Sequence, residues 1–219
     1  MLYEISCREK NRGKFIAIEG PEGCGKSTQV RELARYLSDR GFPVVVTREP
    51  GGTPFSEKIR NILLADSAEY VSPLAELFLY LASRAQHVMN LIVPSLKTGK
   101  VVITDRFSVA TFAYQGYGRG IPLKLIKKLN GLSSEGLEPD LTIVVDADSA
   151  GGLKRAARVK GKYDRLEKAG LNFHRRVRRG YLELAKKSPG RIKVVKRQST
   201  VTKTQELIRR LVDRCLSGT

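Results

Sequence analysis

Cysteine is scarce. Cys7, Cys24 and Cys215 are the only three in 219 residues, and no CxxC or Cys/His cluster joins them. The chain therefore has neither a disulfide framework nor the ligand spacing of structural zinc. Long apolar stretches are missing too, since no run approaches the roughly 18 to 20 residues of a membrane span. The segment Met1 to Lys14 is mixed and charged and lacks the apolar centre of a secretory leader. Both absences point to a cytoplasmic protein with no membrane partner. Repeats, low-complexity tracts and linker-like composition breaks are also absent. One domain over residues 14–219 is expected, after an N-terminal extension of residues 1–13 that is either a tail or an added strand.

Acidic side chains are few in the last third. Residues 151–219 carry 21 basic and 5 acidic side chains, a surplus of 16, within a chain of net charge +18. The first 150 residues are nearly neutral. So basic a segment suits a polyanion such as nucleotide phosphates, nucleic acid or an anionic surface, or else forms a solvated surface that favours solubility.

What is present alternates. Short β-branched runs at Phe15 to Ile18, Pro43 to Thr47, Lys100 to Thr104, Leu141 to Val145 and Ile192 to Val195 read as five buried strands. Amphipathic segments lie between them, at about Lys26 to Arg40, Pro54 to Ala65, Pro73 to Thr98, Leu123 to Asn130, Ala150 to Val159, Leu171 to Lys187 and Thr202 to Leu216. Alternating strands and helices predict an α/β fold with a five-stranded parallel sheet flanked by helices on both faces. Gly41, Gly99, Gly136 and Gly190 stand where helices hand over to strands. Ligands in such sheets bind at the carboxyl ends of the strands.

The segment Gly20-Pro21-Glu22-Gly23-Cys24-Gly25-Lys26-Ser27, followed by Thr28, matches G-x-x-x-x-G-K-[ST] directly after the first strand and at the start of a helix. Its glycines let successive N–H groups close around phosphates at a helix N-terminus. Lys26 then bridges the outer phosphates, and Ser27 offers a hydroxyl to Mg2+. Cys24 reads either as a small filler or as a redox-sensitive thiol. The motif implies a nucleoside triphosphate and names no acceptor.

The acceptor is suggested further on. Thr47-Arg48-Glu49-Pro50-Gly51-Gly52-Thr53 follows the second strand, Arg84-Ala85-Gln86-His87 lies on a helix, and Asp105-Arg106-Phe107 follows the third strand. Ala113-Tyr114-Gln115-Gly116 comes shortly after. Asp105 is placed as a carboxylate that holds Mg2+ or its water shell. Arg106 can fork onto two phosphate oxygens, or pair with its neighbour Asp105. Tyr80 and Arg84, four residues apart, share one helix face. An aromatic there is either core or a stacking platform.

Together these segments resemble the thymidylate kinase family over nearly the whole chain from Phe15. The resemblance implies a three-layer P-loop NTPase fold with a short basic lid. The implied reaction is transfer from ATP, with Mg2+, to thymidine 5′-monophosphate (dTMP), and the enzyme is a homodimer. By the same resemblance Tyr80 stacks on thymine and Arg84 bonds its carbonyl edge. Arg60 and Arg106 meet the acceptor phosphate, and Tyr114 and Gln115 meet sugar and base. Thr111 enters the thymine pocket, Glu49 and Pro50 line its wall, and Glu22 lies near the acceptor sugar and phosphate. Catalysis is implied for Lys26, Arg106, Arg158 and Glu22, and Mg2+ binding for Ser27 and Asp105.

The lid is expected at about residues 150–165, with Arg155, Arg158, Lys160 and Arg165 as its cations. Because the P-loop holds Glu22 and Gly23 and no arginine, the chain is similar to members that supply the catalytic arginine from the lid, with Arg158 the first choice. The chain departs from many relatives at Ala110, where they carry Ser, and at Lys196-Arg197-Gln198-Ser199-Thr200, where an Asp-Ala turn is usual. Two other readings compete: a pyrimidine nucleotide kinase that also takes dUMP, and an ATPase stimulated by nucleic acid through the basic last third.

Overall fold

The computed structural model describes residues 12–65, 69–160 and 165–217, without the side chains of residues 159 and 160. A five-stranded parallel sheet runs through the molecule in the order β2-β3-β1-β4-β5. Its strands are β1 (Phe15–Glu19), β2 (Val44–Arg48), β3 (Val101–Asp105), β4 (Leu141–Asp146) and β5 (Ile192–Lys196). Each lies within about a residue of its predicted position. The expectation that all five are buried holds only for the three inner strands, β1, β3 and β4. The outer strands β2 and β5 are half-exposed, because an edge strand has a neighbour on one side only.

Alternation along β1 divides the core between the two faces of the sheet. Ile16 and Ile18 point to one face and pack with Leu33 and Leu37 of α1 (Lys26–Asp39) and Ile208 and Val212 of α9 (Val201–Ser217). Phe15 and Ala17 point to the other face, toward Val88, Ile92 and Val93. Fully burying a side chain such as Leu33 contributes about 1.5–3 kcal/mol. Further along that second face, Val144 packs with Phe173, Val177 and Tyr181 of α8 (Leu171–Lys187). Among the described residues no helix is long and apolar enough to cross a membrane.

Two helical stretches differ from their expected form. The segment predicted as one helix from Pro73 to Thr98 is α3 (Pro73–His87), a wider π-turn at Val88–Ile92 and α4 (Val93–Lys97). Pro94 lies just beyond the widened turn; it has no N–H to give the carbonyl four residues back, and its ring crowds that carbonyl. The stretch after Phe107 is also helical, as α5 (Ser108–Thr111) and a π-helix at Phe112–Gly118 that carries Tyr114 and Gln115. Three of the four marked glycines, Gly41, Gly99 and Gly136, have positive φ, and Gly190 does not. After α8 the chain turns by the Arg191 N–H donating to the Ser188 carbonyl at 3.1 Å instead.

The remaining α-helices among the described residues are α2 (Pro54–Leu64), α6 (Leu123–Ser133) and α7 (Ser149–Lys160). The extension before residue 12 and residues 161–164 of the expected lid lie outside the described residues. Register fixes the site: Ile18 of β1 pairs with Asp105 of β3, and Arg48 of β2 pairs with Asp105 on its other side. The P-loop, the Glu49-Pro50 turn and Asp105-Arg106 therefore meet at the carboxyl ends of adjacent strands.

Candidate active site

A cleft of about 580 Å3 opens at that edge of the sheet. Eight cationic side chains line it against four carboxylates, a surplus that suits an anionic occupant. At its floor the P-loop bends sharply. A Cβ on Gly23, whose φ is +61°, would run into the carbonyl of Gly152. Lys26, 6% exposed, folds back over the loop and donates from Nζ to the Pro21 carbonyl at 2.8 Å. Cys24 is buried, and burial raises its thiol pKa, which favours the filler reading over a reactive thiolate.

Ser27 Oγ donates to Asp105 Oδ2 at 2.6 Å. A hydroxyl and a carboxylate are hard oxygen donors of the kind Mg2+ takes beside substrate phosphates. Among the described residues no cluster of three or more His, Cys, Asp or Glu competes for a softer metal.

Arg106 does not form a closed pair with Asp105. Its φ of +75° is unusual for a non-glycine residue, and its own N–H holds it there by donating to the Ile18 carbonyl at 3.0 Å. The guanidinium turns into the cleft, pairs with Glu22, and donates to the Gly20 carbonyl at 3.2 Å and the Tyr181 hydroxyl at 3.1 Å. It also lies 4.8 Å over the Tyr114 ring, and the Tyr114 hydroxyl donates to the same Glu22 oxygen at 3.0 Å. Five residues of the sequence-based set thus belong to one constellation: Glu22, Lys26, Ser27, Asp105 and Arg106, with Tyr114 covering it.

The side chains expected at the acceptor line the same cleft. Tyr80 is half-buried and lines the cleft, so it is not core. Burial, followed by the nearby Glu76, keeps its phenol protonated. Arg84 is 2% exposed and is held by Glu49, to which Nε and Nη2 donate at 2.9 and 2.7 Å. Arg60 Nη1 donates to the Pro50 carbonyl at 2.9 Å, and burial, then Arg48, lowers its pKa. Thr111 and Gln115 are buried in the wall, where Gln115 Nε2 donates to Glu76 at 2.9 Å. Ala110 and the Arg197–Thr200 turn, where the sequence departs from its relatives, also line the cleft.

The lid cations separate. Arg155 of α7 lines the cleft and donates from Nε to the Gly23 carbonyl at 2.9 Å. Its pKa is lowered first by burial and then by Arg197, so two cations stand near one another over the P-loop. Arg158 is exposed on the same helix and is not part of the cleft lining. Lys160 falls among the side chains outside the described part. Arg165 points away from the P-loop: it pairs with Glu76 at 2.7 Å and donates to the Leu63 carbonyl at 3.0 Å.

Sequence reasoning missed several supports. Glu19, fully buried at the end of β1, accepts from the N–H groups of Phe107 and Ala110 at 2.8 and 3.1 Å and from the Tyr181 hydroxyl at 2.9 Å. Burial raises its pKa to about 7 against those donors and Arg106. Glu76, also fully buried, gathers Gln115, Arg119 and Arg165. A glutamate ending an otherwise apolar strand was the one available signal; Glu76 and Tyr181 gave none.

Comparison with known proteins identifies the family. The sequence model of the thymidylate kinase family matches residues 18–208. The thymidylate kinase of Carboxydothermus hydrogenoformans is 52% identical over 175 residues, 80% of this chain and 85% of that one. The thymidylate kinase of Geotalea daltonii is 46% identical over 212 residues, 94% and 99% of the two chains. The crystal structure of thymidylate kinase from Ehrlichia chaffeensis superposes with a TM-score of 0.76 at 36% identity, covering 92% of this chain and 99% of that one. With the P-loop and Glu49, Tyr80, Arg84, Thr111 and Gln115 lining one cleft, and relatives matched along nearly their whole length, the chain belongs to the thymidylate kinase family of phosphotransferases.

Proposed function

We propose that the protein transfers the terminal phosphoryl group of ATP to dTMP, in the presence of Mg2+, giving ADP and dTDP. The carrying observation is that a single cleft is lined both by Lys26, Ser27 and Asp105 and by Tyr80, Arg84, Thr111 and Gln115. Arg106 lines it as well. A nucleic-acid-stimulated ATPase gives the second group no work.

The acceptor phosphate is already a nucleophilic anion near neutral pH, so the residues have to position it and neutralise charge, not remove a proton. Arg106 and Arg60 bind the acceptor phosphate, and Glu22 keeps the Arg106 guanidinium oriented until it arrives. Lys26 bridges the outer donor phosphates. Ser27 and Asp105 would hold Mg2+, which when bound would offset charge on the donor phosphates. Arg155, already seated over the P-loop, is the better placed lid cation, and Arg158 joins it from the same helix. Closing the lid over the cleft keeps water from the transferring group.

The same reading includes a homodimer in the cytoplasm. Phe55 and Ile62 on α2, Leu74 and Phe78 on α3, and Leu125 and Leu132 on α6 are exposed apolar pairs, each in phase on its helix. An uncovered face of this kind on adjacent helices suits a second copy.

The test is ADP release with ATP and Mg2+, offering dTMP, dUMP, dCMP, dGMP or no acceptor, alongside Arg84→Ala. Turnover strongest with dTMP and collapsing in the variant supports the reading. Turnover indifferent to the acceptor, or dependent on added nucleic acid, overturns it.

A further inference from the structure

His87 takes no part in the function just described, yet it sits at the end of a continuous buried polar chain. The ring is fully buried, with Nδ1 3.2 Å from Glu49 Oε1 and Nε2 2.6 Å from Thr47 Oγ1. The other carboxylate oxygen, Oε2, accepts both bonds from Arg84. Arg84 Nη1 donates to Asn130 Oδ1 at 2.5 Å, and its guanidinium lies 5.0 Å over the Phe107 ring.

Donor and acceptor roles follow from the chemistry. Burial would raise the Glu49 pKa, but Arg84 and His87 outweigh it and hold the carboxyl below its ordinary value. An ionised carboxylate only accepts, so His87 Nδ1 carries a proton. The His87 Nδ1–H therefore donates to Glu49, while Nε2 and the Thr47 hydroxyl share a hydrogen bond at 2.6 Å.

This fixes the plane of Glu49. The last torsion of a glutamate is broad and nearly two-fold, so an arginine bound through one oxygen alone leaves the group free to swing. His87 occupies the second oxygen and removes that freedom. The ring is itself clamped: a Cβ on Gly52, whose φ is +87°, would come within 2.6 Å of both the ring and Thr47 Oγ1. Of the five N–H donors on Arg84, three are engaged by Glu49 and Asn130, and the side chain lines the cleft.

We infer that His87 is a positioning residue for recognition of the acceptor base. Acting through Glu49, it sets the Arg84 guanidinium so that its remaining donors meet a base edge presenting a carbonyl oxygen and reject one presenting an amino group. Thymine presents O4 at that edge and cytosine an N4 amine, so discrimination against cytosine depends on a side chain that touches neither. The inference rests on the dTMP kinase reading and adds to it the origin of the base preference.

Two substitutions divide the ring's contacts. His87→Asn places an amide nitrogen at the Nδ1 position and keeps the donor to Glu49. His87→Gln reaches the Nε2 position, keeping Thr47 and losing that donor. In His87→Gln, KM for dTMP is expected to rise roughly tenfold, as loss of one charge-assisted hydrogen bond implies, and the dTMP-to-dCMP ratio of kcat/KM to fall similarly. KM for ATP should not follow, and kcat should move less than KM. His87→Asn should recover most of the loss. A base preference in His87→Gln equal to the parent's, or equal damage in both variants across all parameters, overturns the inference. A parent protein with no dTMP turnover sinks the kinase reading instead. The positioning is then still decided by the Arg84 Nε–H signal of 15N-labelled protein: slow exchange in the parent and His87→Asn with fast exchange in His87→Gln supports it, and slow exchange in all three overturns it.

Discussion

The Ser27 hydroxyl donates to Asp105 across 2.6 Å although the two residues lie 78 positions apart. The contact exists because β1 and β3 are neighbours in register, which brings the P-loop and the end of the third strand to the same edge. Asp105→Asn keeps the shape and removes the charge that would hold a cation. We expect kcat to fall on the order of 10²–10³-fold, with a higher Mg2+ concentration needed for half-maximal rate and little change in KM for dTMP. A Mg2+ titration of the rate checks this, and chelation of the metal should abolish turnover in the parent.

Arg155 reaches the P-loop carbonyl of Gly23, whereas Arg158 is exposed on the same helix. Arg155→Ala is expected to lower kcat by about 10³-fold, the scale of a cation that acts mainly on the transition state, and to leave dTMP binding intact. Arg158→Ala should cost less. Single-turnover rates at saturating substrates decide the order, and a larger effect at Arg158 would return the leading role to it.

Glu19 gives stability a pH dependence of predictable sign. Its folded pKa is raised from about 4.5 to about 7. The folded protein therefore holds this proton more tightly than the unfolded chain does. That contribution is fully present below pH 4.5 and is lost as the pH rises through 7. Glu19→Gln removes the titration while keeping an oxygen for the Phe107 and Ala110 N–H groups. Its melting temperature should decline less than the parent's across that window, as thermal scans at stepped pH will report. Parallel profiles would clear Glu19 of the effect.

Phe78 is 52% exposed on α3, and Ile62 is 61% exposed on the adjacent α2. Phe78→Glu places a charge on that apolar face and should convert a sedimenting dimer to monomer at micromolar concentration. An unchanged sedimentation coefficient would move the interface elsewhere.

The five strands, most of the helices and the phosphate cradle are legible in the amino-acid order. Continuous β-branched runs, amphipathic periodicity and a glycine-rich turn are local properties, written within a few residues of where they act. That order also supplied most of the site, because Glu22, Lys26, Asp105, Arg106, Tyr80 and Arg84 lie in recognisable segments. Tertiary structure decided which strands are edges, since half-exposure of β2 and β5 depends on strand order, and where the chain adopts π-turns. It decided the partners as well. Arg106 pairs with Glu22 and not with the adjacent Asp105, Arg165 goes to Glu76 and not to the P-loop, and the Glu19–Tyr181 and His87–Glu49 contacts come into view only when distant elements pack. A buried charge takes whichever partner the fold brings within about 3 Å, and distance along the chain carries no information about that choice.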